Sequence, residues 1–279
     1  DLMGKEKILI PNIMLLGKLK YLVLLMVFSK TSFAQKGFCD IENRVINPGE
    51  NVDFIVYYNL DKIWIPAGKV SFSTKLSTLS GVPVYHVLGR GSTLKSYEWI
   101  YKVDDVYESF IDTATLQTMK FVRNINENGK RKLEYVRLVS QKNKAFANFK
   151  TFSIPDCTQD VLSSVYYARN LDYSKMQIGS ILEYDMFLEE QVYHLYIRYL
   201  GKQRITTNYG TFNTIKLKPL LVKGTVFKGG EDMEVYVSDD DNRIPIRVKS
   251  KILVGSIIVD MVAFSGQKHP VNAFIKKNK

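Results

Sequence analysis

Several runs of this chain repeat with a period of two, and that period is what most narrows its fold. Val52, Phe54, Val56 and Tyr58 alternate with Asp53, Ile55 and Tyr57. After a break at Leu60-Asp61-Lys62, Val70, Phe72, Thr74 and Leu76 alternate with Lys69, Ser71, Ser73 and Lys75. Ile244, Ile246 and Val248 stand against Arg243, Pro245, Arg247 and Lys249. Successive strand side chains point to opposite faces, so these runs predict strands with one apolar face. The clean polar face of 69–76 fits an antiparallel sheet solvated on one side. Seventeen Tyr and 15 Phe agree, because aromatic rings suit a pleated surface.

Turn chemistry divides the runs. Asn128-Gly129 lies between apolar runs at 119–125 and 133–139 and predicts a tight hairpin, since both residues accept positive φ. Lys142-Asn143 turns the chain toward a strand over 146–152, and Asp239-Asp240-Asp241-Asn242 reads as a turn rather than a calcium loop. Further strands are expected over 181–188, 192–200, 212–217, 233–237, 244–248 and 252–264. One segment has the other period: Val161, Leu162, Val165 and Ala168 recur at helical spacing, with Thr158 as the expected N-cap and Asn170 near the end. The tail from Lys276 to Lys279 is expected to fray. About a dozen strands and one mid-chain helix describe a mainly antiparallel all-β domain, a curled sheet or half-open barrel, with no linker dividing residues 35–279.

The N-terminus reads as a leader. Lys18 and Lys20 precede the apolar run 21–28, and Ser32-Phe33-Ala34 offers small residues for a cut after Ala34. The run is about half the ~20 residues a membrane span needs. Residues 1–13 read as a mis-assigned start, with Met14 the more typical initiator. The expectation is an exported, periplasmic protein, soluble and without an anchor after cleavage. Phe38 before Cys39 argues against a lipidation site. In an oxidising compartment Cys39 and Cys157 are expected to form a disulfide, the alternative being two buried thiols. The formal charge of +11 favours anionic surfaces, and outside the cytoplasm nucleic acid is not an expected partner.

Four stretches carry a resemblance. They are Asn47-Pro48-Gly49-Glu50 through Tyr57-Tyr58 to Trp64-Ile65-Pro66-Ala67-Gly68; Lys102-Val103-Asp104-Asp105 to Ile111-Asp112; Asp156-Cys157 to Tyr167-Ala168-Arg169; and Ser238-Asp239 to Pro245-Ile246-Arg247 with Gly255. Together they resemble the exported proteins of Gram-negative bacteria grouped as domain of unknown function 3108. The resemblance implies an exported antiparallel β protein and no activity. Kinship with the half-open barrels of lipoprotein carriers is expected at the level of fold only.

The chain has no Walker pattern, no G-x-S-x-G elbow, no H-E-x-x-H, no C-x-x-C and no Rossmann glycine pattern. No catalytic residue, cofactor or metal site is therefore assigned. His86, His194 and His269 are scattered, and Glu189, Glu190 and His194 supply too few ligands on one face for zinc. Asp104 and Glu108 share a face but more simply flank a solvated edge. Two features point to binding. Tyr97, Trp99 and Tyr101 alternate with Glu98, Ile100 and Lys102, so an extended segment would line three rings along a cavity wall or a packed core. Arg243, Arg247, Lys249 and Lys251 form a basic stripe suited to an anionic headgroup, or to solvated protection of a strand. The expected function is non-enzymatic binding of a lipid or other amphipathic envelope molecule. The helix would lid the concavity with Val161, Leu162, Val165 and Ala168. An envelope scaffold binding another protein is the alternative, and a hydrolase on unrecognised carboxylates the third reading.

Overall fold

The computed structural model describes residues 41–60, 63–223, 229–252 and 255–277. The predicted leader and Cys39 lie outside the described residues. Alternation is realised as β1 (Asn51–Leu60), β2 (Ile63–Leu79), β3 (Val82–Thr93), β4 (Asp104–Asp112), β5 (Thr118–Glu127), β6 (Lys130–Val139), β7 (Lys144–Ala147) and β8 (Lys150–Ser153). Helix α1 (Val161–Asn170) follows. Then come β9 (Ile181–Leu188), β10 (Gln191–Thr206), β11 (Gly210–Pro219), β12 (Met233–Ser238), β13 (Pro245–Lys251), β14 (Ser256–Ser265) and β15 (Phe274–Lys277).

The strands form one antiparallel sheet in the order β8-β7-β6-β5-β4-β3-β2-β1-β14-β13-β12-β11-β10-β9, with β15 on β11. It is two meanders joined at β1–β14. Helix α1 carries the chain from one sheet edge, β8, to the other, β9. The sheet curls so that these edges approach without forming a ladder. Just before the helix, Gln159 N–H donates to Asp185 O (2.8 Å), and Phe187 N–H donates to Gln159 O (2.9 Å). Phe121, Val136, Leu138, Ala145 and Ile154 from the first edge pack with Phe187 from the second. This is the half-open barrel the alternation predicts.

Local chemistry explains most boundaries. Asn128 and Gly129 take φ of 52° and 84°, closing the β5–β6 hairpin. The helix cap is Asp160 rather than Thr158. The Asp160 carboxylate accepts from Leu162 N–H (2.8 Å) and Ser163 N–H (3.2 Å), while the Thr158 hydroxyl donates to Pro155 O (2.7 Å). The run 252–264 is not one strand. Gly255 at φ 80° and a bond from Ile252 N–H to Gly255 O (3.2 Å) turn the chain between β13 and β14. Nor does Lys276 fray: it pairs with Thr211, and Lys277 with Gly210. Strand β3 escapes the alternation rule because Gly89 and Gly91 interrupt its pattern. At Gly89 a Cβ would stand 3.1 Å from Leu162 Cδ2, so the missing side chain lets α1 sit on the sheet.

Odd-to-even connections lie at one end of the curled sheet and even-to-odd connections at the other. At the even-to-odd end, Glu50 and Arg169 form a buried bidentate pair (2.6 and 2.8 Å). Arg169 also donates to Asn242 O (3.0 Å), and Arg243 donates to Arg169 O (3.1 Å). Asn170 Oδ1 accepts from the N–H groups of Arg44 (2.6 Å) and Val45 (3.1 Å). Three of the four stretches that carry the family resemblance meet here, through Glu50, Arg169 and the 239–244 turn.

Candidate functional site

Helix α1 has two working faces. Leu162, Tyr166 and Tyr167 pack with Val45, Ile46, Val87, Ile111 and Leu116. Val161, Val165 and Ala168, at i, i+4 and i+7, face the other way and line a partly open concavity of about 910 Å³. The helix is held in that orientation from both ends. Asp160 accepts hydroxyls from Ser109 (2.5 Å) on β4 and Thr118 (3.1 Å) on β5, and Arg169 and Asn170 anchor the far end as above. Of the four side chains expected to lid the concavity, three line it and Leu162 belongs to the neighbouring core.

Opposite the helix, β9–β12 supply Met186, Leu188, Leu195, Ile197, Leu217, Val235 and Val237, with Tyr184 and Tyr193 beside them, so this wall is mostly apolar. Apart from Arg169, which Glu50 holds at the other end, charged groups gather toward the odd-to-even connections: Asp105, Arg123, Glu127, Lys130, Arg131, Lys132, Glu189 and Lys223. Arg123 is the most constrained of them. It donates to Glu134 (2.7 Å) and lies 3.4 Å from Glu189; its guanidinium stands 5.5 Å from the Tyr107 ring centre. Its Nε has no hydrogen-bond partner in the described structure. Burial alone would lower the Arg123 pKa, but Tyr107 and Glu134 hold it above the usual value. Burial raises the Tyr107 phenol and the Asp105 carboxyl, in Asp105 against the hydrogen bond from Asn126 N–H.

The predicted binding residues are placed elsewhere. Tyr97, Trp99 and Tyr101 are not extended: Lys95–Tyr97 is a 3₁₀ turn, and the N–H groups of Ile100 and Tyr101 bond back to Tyr97 O (3.0 and 3.3 Å). Local hydrogen bonds thus replace the ladder that alternation presupposes. None of the three lines the concavity, and Trp99 is 82% exposed. The basic stripe is also broken up. Arg243 precedes β13, is buried over the Tyr173 ring (5.7 Å), and burial lowers its pKa. Arg247 is neutralised by Asp260 through two 2.5 Å contacts. Cys157 is disulfide-bonded.

The scattered acids and histidines have structural partners. Glu189 binds Lys132 (2.8 Å) and Glu190 binds Lys150 (2.8 Å), drawing the sheet edges together. His194 pairs with Asp185, and His86 with Glu108 (2.6 Å). Asp240 accepts from Ser238 Oγ (2.8 Å) and Asn242 N–H (3.0 Å), as in a turn. Among the described residues no three His, Cys, Asp or Glu side chains converge as a metal site. Among the described residues no histidine or cysteine lines the concavity, and the one serine that does, Ser164, donates to Val161 O (2.8 Å).

Sequence reasoning missed Arg123 and Tyr107. Alternation places both on inward faces, but it does not tell a filled core from a lined space.

One solved structure supports the fold. A crystal structure of a β-barrel-like protein of domain of unknown function DUF1849 from Brucella abortus matches with TM-score 0.54 at 10% identity, covering 79% of this chain and 98% of that one. A protein with a YmcC-like fold from Bacteroides fragilis matches at 12% identity with TM-score 0.29, covering 81% and 99%. No curated protein matches the chain, and no helix among the described residues is long and apolar enough to cross a membrane. The family model for "Protein of unknown function (DUF3108)" matches residues 53–262. Carried by most of the strands and by the helix they enclose, that match means the chain belongs to the DUF3108 family.

Proposed function

We propose that the protein is an exported, non-enzymatic binder of one amphipathic molecule, held with its apolar chain between α1 and β9–β12. The observation that carries this is the concavity of about 910 Å³, with mostly apolar walls and its charges, apart from the Glu50-paired Arg169, collected at one end. Binding sites of this kind are concave, mostly apolar and a few hundred to ~1,000 Å³ in volume. The charged end supplies Arg123 and Lys130–Lys132 for an anionic head. Tyr97, Trp99 and Tyr101 have no part in this wall, and neither do Arg243 and Arg247. Export follows from the leader reading of residues 1–34, with the periplasm as the expected compartment.

Native mass spectrometry of protein recovered from its own envelope, followed by lipid extraction, tests the reading directly. Titration with the fluorescent fatty acid cis-parinaric acid gives the solution counterpart. Saturable binding is expected, weakened about tenfold or more by Val165→Phe, which occupies the space. The thermal melt should be unchanged. No retained lipid and no saturable binding would overturn it.

A further inference from the structure

Both tryptophans of this chain, Trp64 and Trp99, are exposed to solvent, at 42% and 82%. They lie at neighbouring connections of the odd-to-even end: Trp64 beside the β1–β2 turn, Trp99 between β3 and β4. Ile63, Ile100 and Tyr101 are exposed with them. Single exposed apolar residues are ordinary; five large ones on adjacent connections call for a partner. The group is attached to the charged end of the concavity. Leu94 N–H bonds Ala67 O (2.9 Å) and Asn128 N–H bonds Lys102 O (2.7 Å), which links β2, the 94–103 loop and the β5–β6 tip in one row. The tip residues Lys130 and Arg131 line the concavity itself.

Charge selects the partner. Around the apolar group, Glu98 faces Lys102 (3.5 Å) and Glu127 accepts the Tyr101 hydroxyl (3.3 Å). Exposed Lys95, Lys130 and Arg131 have no carboxylate partner among the described residues; of the unpaired acids here Asp104 is exposed, while Asp105 and Glu127 are half-buried and accept from Asn126 N–H and the Tyr101 hydroxyl. Tryptophan and tyrosine rings favour the boundary between headgroups and acyl chains, and apolar side chains flanked by Lys and Arg bind there. We propose that this end docks on a lipid bilayer carrying anionic headgroups. Trp64, Trp99 and Ile100 enter the headgroup layer, and Lys95, Lys130 and Arg131 meet lipid phosphates. The inference builds on the proposed binding function by naming the source of the amphipath: it passes between bilayer and concavity at this end.

Because both tryptophans sit on this rim, the intrinsic emission of the leader-free protein reports docking. Phosphatidylglycerol-containing vesicles should shift the emission to the blue and protect it from acrylamide. Trp99→Ala with Ile100→Ser should lower co-sedimentation about tenfold or more through lost apolar contact. Lys95→Gln should lower it about fivefold on anionic vesicles. Circular dichroism confirms that these exposed variants fold. Two results would overturn docking: emission unchanged by vesicles at low salt, or a concentration-dependent shift without vesicles, which assigns the rim to a second copy. The cis-parinaric titration separates the two readings. The rim variant keeps fatty-acid binding and loses vesicles, whereas Val165→Phe does the reverse. Fatty-acid binding without any vesicle response overturns docking alone.

Discussion

The two ends of the curled sheet handle polarity in opposite ways. At the even-to-odd end the ionic groups are inside: Glu50 is 1% exposed and Arg169 3%. Their hydrogen bonds tie together segments near residues 50, 169 and 242, which are distant in the chain. At the odd-to-even end the large apolar groups are outside, with Trp99, Ile100 and Ile63 in solvent. A buried ion pair is weak evidence of net stabilisation, but breaking one leaves an uncompensated charge in a low-dielectric interior. The closed end therefore fixes how the two meanders and the helix fit. The other end is free to vary its side chains, since no core depends on them. Stability and recognition are separated along one axis.

The largest expected effect lies at the entry to the helix. Cys157 sits in the segment entering the helix, and we propose Cys39 as its partner. Removing that link should cost ~4–5 kcal/mol, as for closure of a loop of over a hundred residues in the chain-entropy model. Non-reducing peptide mapping should show the joined pair; a map with Cys39 free would overturn this pairing. Next comes Glu50→Ala, which strands the Arg169 guanidinium and should cost about 3–5 kcal/mol in urea unfolding. Combining Glu50→Leu with Arg169→Met should cost less than the single change. A double variant as unstable as the single one would mean that packing, not charge, sets the closed end.

Asp160 gives a smaller, pH-dependent effect. Asp160→Ala removes the cap and should cost about 1–2 kcal/mol. Burial raises the Asp160 carboxyl above the ordinary aspartate value, against the hydrogen bonds from Ser109, Ser163 and Leu162. The fold therefore favours the protonated form. That contribution is full below the unfolded value of about 3.9 and is lost as pH rises through the raised folded value. The stability of the wild type relative to Asp160→Asn should accordingly fall as pH rises from acid to neutral. A gap that widens with pH would contradict this sign.

The smallest effect belongs to the open end. Trp99→Ala and Ile100→Ser should each stay within about 0.5 kcal/mol of the wild type, because exposed side chains away from a core contribute little. A loss comparable to that of Glu50→Ala would erase the contrast between the ends.

Legibility followed the range of the forces involved. Strand faces over 51–58 and 69–76, the Asn128-Gly129 hairpin and the 239–242 turn were readable because each depends on residues a few positions apart. Helix α1 was readable for the same reason, its cap misplaced by two residues because Thr158 and Asp160 both suit the role. The 97–101 rings were misread because alternation is evidence for a strand only where a neighbour offers a ladder. The basic stripe failed similarly: nothing near Arg247 in sequence announces Asp260, and nothing near Arg243 announces the Arg169 carbonyl.

What the sequence determined by itself is which faces of which strands are apolar, because side-chain direction is fixed by backbone period. Only the tertiary structure decided that Val161 and Val165 line an unfilled space with Leu195, while Ala168 packs onto the core of Ile197, Leu217 and Val237 and Leu162 closes onto Gly89. Whether apolar faces meet or stand apart depends on sheet curl, helix placement and side-chain volumes summed over the whole fold. No local pattern contains that sum.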